Sequence, residues 1–175
     1  MSAGEPQKKS WTFYRRTVID KPLETLASEV CDAGVLHAFG VPGGGKSLRL
    51  IHYLEEAGVR FHTTYREDAA AIMAGTAGRL GKSIGIAISI KGPGVANMMP
   101  GLAFCGFELL PMVAISEAYG VSEQSSRFHK RIDHKLLTMP TVKGSFGYGG
   151  PVEGFGRARA LAIGEPPGPV LLNLA

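Results

Sequence analysis

Two cysteines, little excess charge and no long apolar run remove several classes of protein at the outset. Cys31 and Cys105 are far apart, and neither sits in a Cys-x-x-Cys or Cys/His spacing. That spacing fits reduced thiols in a cytoplasmic protein better than a disulfide framework or a zinc site. No stretch approaches the roughly 20 apolar residues of a membrane span. Lys8 and Lys9 near the N-terminus are followed by no apolar core of a secretory signal, so the chain reads as cytoplasmic, without a membrane partner. Nineteen Lys and Arg against fifteen Asp and Glu leave a net charge of +4. These residues are scattered or in short clusters, which gives no nucleic-acid surface. There is no internal repeat and no low-complexity segment.

What is present is a 175-residue chain, 45% hydrophobic, with 24 glycines lying mostly at the ends of elements. That length suits one domain with a real core. Residues 1–19 have no clear period and read as an N-terminal extension; the domain is expected over 20–175. Asp20 with Pro22 starts a helix, Leu23, Leu26, Ala27 and Val30 fall on one face, and Gly34 ends it. Val35 to Phe39 is a short strand. A second helix carries Leu48, Ile51, Leu54 and Leu50 inward and stops at Gly58. Val59 to Thr64 alternates and is β-branched, a third element of strand type.

Ser83 to Ile90 and Met112 to Ser116 are near-continuous apolar runs, the pattern of buried parallel strands. Between them Val95 to Phe107 reads as a helix, although Pro100 belongs near a first turn or at a kink. Glu117 to Arg131 is polar and irregular. A short helix over Ile132 to Thr138, a short strand over Thr141 to Ser145, a helix around Pro151 to Ile163 and a strand over Val170 to Leu174 complete the chain. Strands alternating with helices predict an α/β fold, a single parallel sheet with helices on both faces.

Two stretches carry the chemistry. After Asp68 the composition turns to alanine and small residues, which favour a closely packed helix, so Glu67 stands at a strand-to-helix junction. Open α/β sheets place their ligands on that edge. The plain alternative is that Glu67 and Asp68 serve the helix dipole. Earlier in the chain, Gly40-Val41-Pro42-Gly43-Gly44-Gly45-Lys46-Ser47 fits the phosphate-cradling G-x-x-x-x-G-K-S loop. In that loop backbone amides and a helix N-terminus hold phosphates. The metal-binding aspartate such a loop needs is poorly supplied, since Met112 to Ile115 leads into Ser116 and Glu117.

In order along the chain, these stretches resemble the pyrimidine-binding domain of thiamine-diphosphate enzymes of the acetolactate synthase and oxalyl-CoA decarboxylase branch. Phe39 to Gly44 resembles the family's F-G-x-P-G-G, and Tyr65 to Ala70 its R-x-E-x-x-A. Ala74 to Lys82 is similar to its A-x-G-Y-A-R-x-T-G-K. Gly92-Pro93-Gly94-Val95-Ala96-Asn97 resembles G-P-G-x-x-N, Leu110 to Ile115 the x-P-x-V-x-I strand, and Pro167 to Leu172 the closing G-P-V strand.

The resemblance implies that Glu67 hydrogen-bonds N1′ of the cofactor's aminopyrimidine and so activates it. A carboxyl in a dry, alanine-rich site can hold or share that proton. It also implies cofactor contacts from Pro42, Gly43, Gly92, Pro93 and Asn97. Substrate contacts are expected from Gly44, from Lys91 standing where relatives often have serine, and from Phe128 and His129 near a Phe-Gln of synthase relatives. Lys91 at a strand end and His129 in a polar loop have equally plain readings as solvated side chains.

Enzymes of this kind also need a domain carrying Gly-Asp-Gly, which holds Mg²⁺ and the diphosphate, and no Gly-Asp-Gly occurs here. The resemblance therefore implies a diphosphate-binding (beta) partner subunit in a heterotetramer or larger. The implied activity is decarboxylation or carboligation of a small 2-oxo acid, as in split sulfopyruvate or phosphonopyruvate decarboxylases. A nucleotide-binding loop at Gly40–Ser47 and a non-catalytic relative stand as alternatives.

Overall fold

A computed structural model describes residues 20–120, 129–148 and 154–175. The first helix, α1 (Lys21–Asp32), starts after Asp20 and buries Leu23, Leu26, Ala27 and Val30 on the anticipated stripe. It is followed by β1 (His37–Gly40), α2 (Gly45–Glu56), β2 (Arg60–Thr63), α3 (Glu67–Leu80) and β3 (Gly85–Ser89). Then come α4 (Pro93–Phe107), β4 (Met112–Glu117), α5 (His134–Thr138), β5 (Ser145–Tyr148), α6 (Phe155–Ile163) and β6 (Pro169–Leu174). The six strands form one sheet in the order β2-β1-β3-β4-β6-β5, and every pairing is parallel.

Two cores flank that sheet. On one face Leu26, Val30, Leu50, Leu54, Ala158 and Ala162 from α1, α2 and α6 pack on Ala38, Ile86, Ile88, Val113, Ile115 and Leu172. On the other, Ala70, Ala71, Ala74, Met98, Leu102 and Cys105 from α3 and α4 pack on Phe39, Ala87, Met112, Ala114 and Leu171. The central strands β3 and β4 are buried along their whole length, which is why their sequences are apolar without alternation. Neither cysteine is in a disulfide. Burial pushes the Cys105 thiol up to about 12, where it packs as a small apolar side chain.

The small residues of α3 have a purpose in this packing. A Cβ on Gly101 of α4 would lie 2.3 Å from the Asp68 carbonyl oxygen, so the two helices touch backbone to backbone at the end of α3 that carries Glu67.

Three expectations need correction. Leu48 is 44% exposed, because α2 turns Ser47, Leu50, Ile51 and Leu54 inward and leaves Leu48 outside that stripe. Pro100 lies in the middle of α4, on its exposed side. The helix runs on through it, held by Met98, Gly101, Leu102 and Cys105 underneath. The strand expected over Thr141 to Ser145 comes later, as β5, paired Ser145 with Leu171 through Tyr148 with Leu174. The Pro151 start expected for α6 lies outside the described residues.

Candidate active site

The order β2-β1-β3 places a switch point between β1 and β3. The chain leaves β1 into α2 on one face and leaves β3 into α4 on the other. Crevices at such points, at the carboxyl ends of the strands, are where open α/β sheets bind ligands. The Pro42-Gly43-Gly44 turn follows β1, Lys91-Gly92-Pro93 follows β3, and Glu67 opens α3 after β2. The sheet thus brings the ends of three adjacent strands, and with them most of the anticipated residues, to one edge.

Glu67 is the first residue of α3, next to Asp68 in the same turn. Asp68 is committed locally: Arg66 grips it with Nε at 2.9 Å and a terminal nitrogen at 2.7 Å. The Arg66 hydrogen bond holds its carboxyl below the usual range. Glu67 instead reaches across to α4, where Asn97 Nδ2 donates to its Oε2 at 3.3 Å. Glu67 is half-buried and Asn97 exposed, so this pair opens outward.

The glycine turn has a different architecture from the one its motif suggests. Ser47 donates its amide N–H to Glu117 Oε1 at 2.8 Å, and its hydroxyl lies 3.1 Å from the same oxygen. Gly45, at φ +69°, is packed so that a Cβ would stand 2.6 Å from that oxygen. The N-terminus of α2 is therefore an anion cradle, and the anion in it is the buried side chain of Glu117. Lys91 Nζ binds the other carboxylate oxygen at 2.9 Å. Burial alone would raise the Glu117 carboxyl, but the Ser47 amide and the Lys91 ammonium prevail and hold it below the usual carboxylate range. Lys46 donates to the Ala175 carbonyl oxygen. A loop that reads as a phosphate cradle is closed by the protein's own carboxylate.

That arrangement relocates Lys91. It stands in an ion pair with Glu117, with its ammonium 5.0 Å from the centre of the Tyr119 ring. Gly92, at φ +69°, donates its amide to His134 Nε2 at 2.9 Å. His129 is exposed, and its carbonyl accepts from the Tyr119 hydroxyl at 2.7 Å. Phe128 lies outside the described residues.

His134 and Asn173 were missed by sequence reasoning, as was the pairing of Ser47, the last residue of the glycine loop, with Glu117. One signal was available: a carboxylate closing the apolar run Met112–Ser116 must be buried, and a buried carboxylate needs partners. His134 had no such signal.

A parallel sheet with a switch point between β1 and β3, and a half-buried carboxylate at the start of α3 on that edge, defines the class: an open α/β domain. The chain belongs to the family described as thiamine pyrophosphate enzyme, N-terminal TPP binding domain, whose model matches residues 23–137. It is 30% identical over 135 residues to an acetolactate synthase of Bacillus subtilis (strain 168), covering 77% of this chain and 24% of that protein. To an acetolactate synthase of Arthrospira platensis it is 32% identical over 152 residues, covering 81% and 25%. To the acetolactate synthase isozyme 3 large subunit of Escherichia coli (strain K12) it is 29% identical over 124 residues, covering 70% and 21%. The chain spans about a quarter of the length of the first and second of these relatives. Among the described residues no helix is long and apolar enough to cross a membrane.

Proposed function

We propose that this chain is the pyrimidine-binding part of a thiamine-diphosphate-dependent 2-oxo acid decarboxylase or carboligase, and that Glu67 is the group that engages the cofactor. The observation that carries the reading is the Glu67–Asn97 pair at the switch-point edge. Asn97 occupies Oε2 and orients the carboxyl, which leaves Oε1 for a ring nitrogen of an aminopyrimidine. A carboxyl so placed can accept or share the proton of that nitrogen. The half-buried setting fits a flat heterocycle laid against the start of α3. Whatever covers this edge would complete the exclusion of water.

Thiamine diphosphate would supply the electron sink for breaking the bond beside the carbonyl of a 2-oxo acid. This chain's residues would hold its pyrimidine end: Glu67 at the ring nitrogen, the Pro42-Gly43 and Gly92-Pro93 turns by close backbone approach, and Asn97 by fixing Glu67. Gly44, Phe128 and His129 stand as the substrate side. Lys91 is engaged by Glu117 and would reach a substrate anion only by sharing its remaining donors.

The diphosphate and Mg²⁺ are assigned to a second subunit or domain. The acetolactate synthase relatives favour joining of the acyl unit to a second 2-oxo acid over its release as an aldehyde.

The test is co-expression with a diphosphate-binding subunit encoded beside this chain. Thiamine diphosphate and Mg²⁺ are then titrated calorimetrically, and the product formed from pyruvate is identified. Binding that is lost in Glu67→Gln while the complex stays assembled supports the reading. Equal binding in both forms removes Glu67 from the site.

A further inference from the structure

Behind the Gly92 turn lies a run of polar groups that the functional reading has not used. His134, 7% exposed, receives the Gly92 amide on Nε2 at 2.9 Å. Its Nδ1 lies 2.8 Å from Asn173 Oδ1, and Asn173 Nδ2 donates to Ser145 Oγ at 3.1 Å. A backbone amide can only donate, so Nε2 is the bare nitrogen and Nδ1 carries the proton. The tautomer is fixed by its neighbours, and it is the neutral one.

The turn it holds leaves little slack. A Cβ on Gly92 would meet the Lys130 carbonyl oxygen at 2.2 Å, so Gly92 is clamped between the Lys130 backbone and the His134 ring. Its own carbonyl accepts from the Ala96 amide at 3.0 Å, opening the first turn of α4. Asn97 is the next residue, and its side chain donates to Glu67. The Gly92 peptide is thus linked through the Ala96 hydrogen bond to the residue next to Asn97, whose side chain meets the Glu67 carboxyl.

We propose that His134 is a positioning residue. Its neutral, Nδ1-protonated imidazole holds the Gly92 turn and through it aims Asn97 at Glu67, and protonation of the ring releases the turn. In the imidazolium both nitrogens carry protons, so Nε2–H faces the Gly92 N–H and an attraction becomes a repulsion. Burial lowers the pKa of His134, against the Asn173 hydrogen bond and the charge of Asp133, which favour the ionised ring. Asn173 and Ser145, the neighbours on β6 and β5, are uncharged. The importance of Asn97 here rests on the reading of Glu67 as the cofactor's partner; the strut itself does not.

The test uses the full chain labelled with ¹⁵N, without cofactor. Long-range nitrogen–proton spectra report the His134 tautomer, and amide exchange reports Gly92. The Asn97 side-chain resonances are followed from about pH 8 to about pH 5. Expected are an Nδ1–H tautomer at the upper pH and Asn97 resonances that move with the His134 titration. Gly92 exchange should be about tenfold faster in His134→Ala and restored by His134→Gln, whose carbonyl can accept the same bond.

Should His134→Ala fail to fold, Asn173→Asp carries the test, since a carboxylate beside Nδ1 favours the ionised ring and must move the Asn97 midpoint to higher pH. An Nε2–H tautomer, or Asn97 resonances indifferent to His134, overturns the proposal. If Asn97 follows His134 but the assembled complex binds no thiamine diphosphate, the strut stands and the functional reading fails. If the cofactor binds through Glu67 while Asn97 ignores His134, the strut alone is wrong.

Discussion

The Ser47 amide donates to the Glu117 carboxylate at 2.8 Å across 70 residues of sequence, joining the N-terminus of α2 to the carboxyl end of β4. Lys91 closes the other side of that carboxylate. Removing the acid leaves a helix terminus without its acceptor and an ammonium without its counter-charge. Glu117→Ala should cost about 2–3 kcal/mol, below the range for fully enclosed pairs because the quarter-exposed Lys91 can turn to water. Urea unfolding measures it directly. A loss under about 0.5 kcal/mol would mean that the carboxylate contributes nothing beyond an ordinary surface group.

The same contact settles what to expect of the glycine turn. An ATP phosphate would have to displace a covalently tethered carboxylate that already holds the Ser47 amide and the Lys91 ammonium. Calorimetric titration with ATP and Mg²⁺ should therefore show no binding, and Lys46→Ala should leave that result unchanged. ATP binding that disappears in Lys46→Ala would show that Glu117 can swing out and that the loop works as its motif reads.

Acidification should destabilise the chain in two steps, through groups of opposite type. His134 has its folded pKa below the ordinary 6.5, so the unfolded chain binds the proton first. Its contribution is full above that value and is lost as pH falls from there toward the folded pKa. Glu117 has its folded pKa below the ordinary 4.5. Its contribution is present above 4.5 and fades as pH falls through the lower folded value. Unfolding free energy measured against pH should fall first near neutrality and again in the carboxylate range. His134→Gln should reduce the first fall, to which His62 also contributes, and Glu117→Gln should reduce the second. A single descent unchanged by either substitution would contradict the assignment.

The sheet was legible because its central strands announce themselves: Ile84 to Ile90 and Met112 to Ile115 are apolar on both faces, which only a buried parallel strand requires. The helices were legible from their stripes, except where a polar residue took an inward place, as Ser47 did at the expense of Leu48. β5 was expected too early, over Thr141 to Ser145, because Ser145-Phe146-Gly147-Tyr148 is an edge strand with one β-favouring residue in two and no apolar run. Of the candidate site, Glu67 could be singled out because it opens a helix after a strand, whereas Asn97, the fifth residue of α4, was named only through the family resemblance. That Asn97 reaches Glu67 is a tertiary fact, set by the crossing of α3 and α4. The pairings of Lys91 with Glu117 and of Gly92 with His134 join distant segments, and nothing local in the sequence marks them.

The approach of α3 to α4 can be tested where it is tightest. A methyl at Gly101 would stand 2.3 Å from the Asp68 carbonyl oxygen and 2.8 Å from the Ala71 Cβ, neither of which can yield without moving α3. Gly101→Ala should therefore cost about 1–3 kcal/mol despite alanine's better helix propensity, because overpacking outweighs the gain. Gly106, one turn further along α4, is the control: a Cβ there meets nothing closer than 3.6 Å, to the Thr141 carbonyl. Gly106→Ala should be neutral or stabilise by up to about 1 kcal/mol. Thermal and urea unfolding of both variants separate the two effects. Because the strain falls on Asp68, next to Glu67, Gly101→Ala should also shift the Asn97 side-chain resonances while Gly106→Ala leaves them in place. Equal effects of the two substitutions would mean that the helices are free to spread, and that their close contact does not hold the Glu67–Asn97 pair.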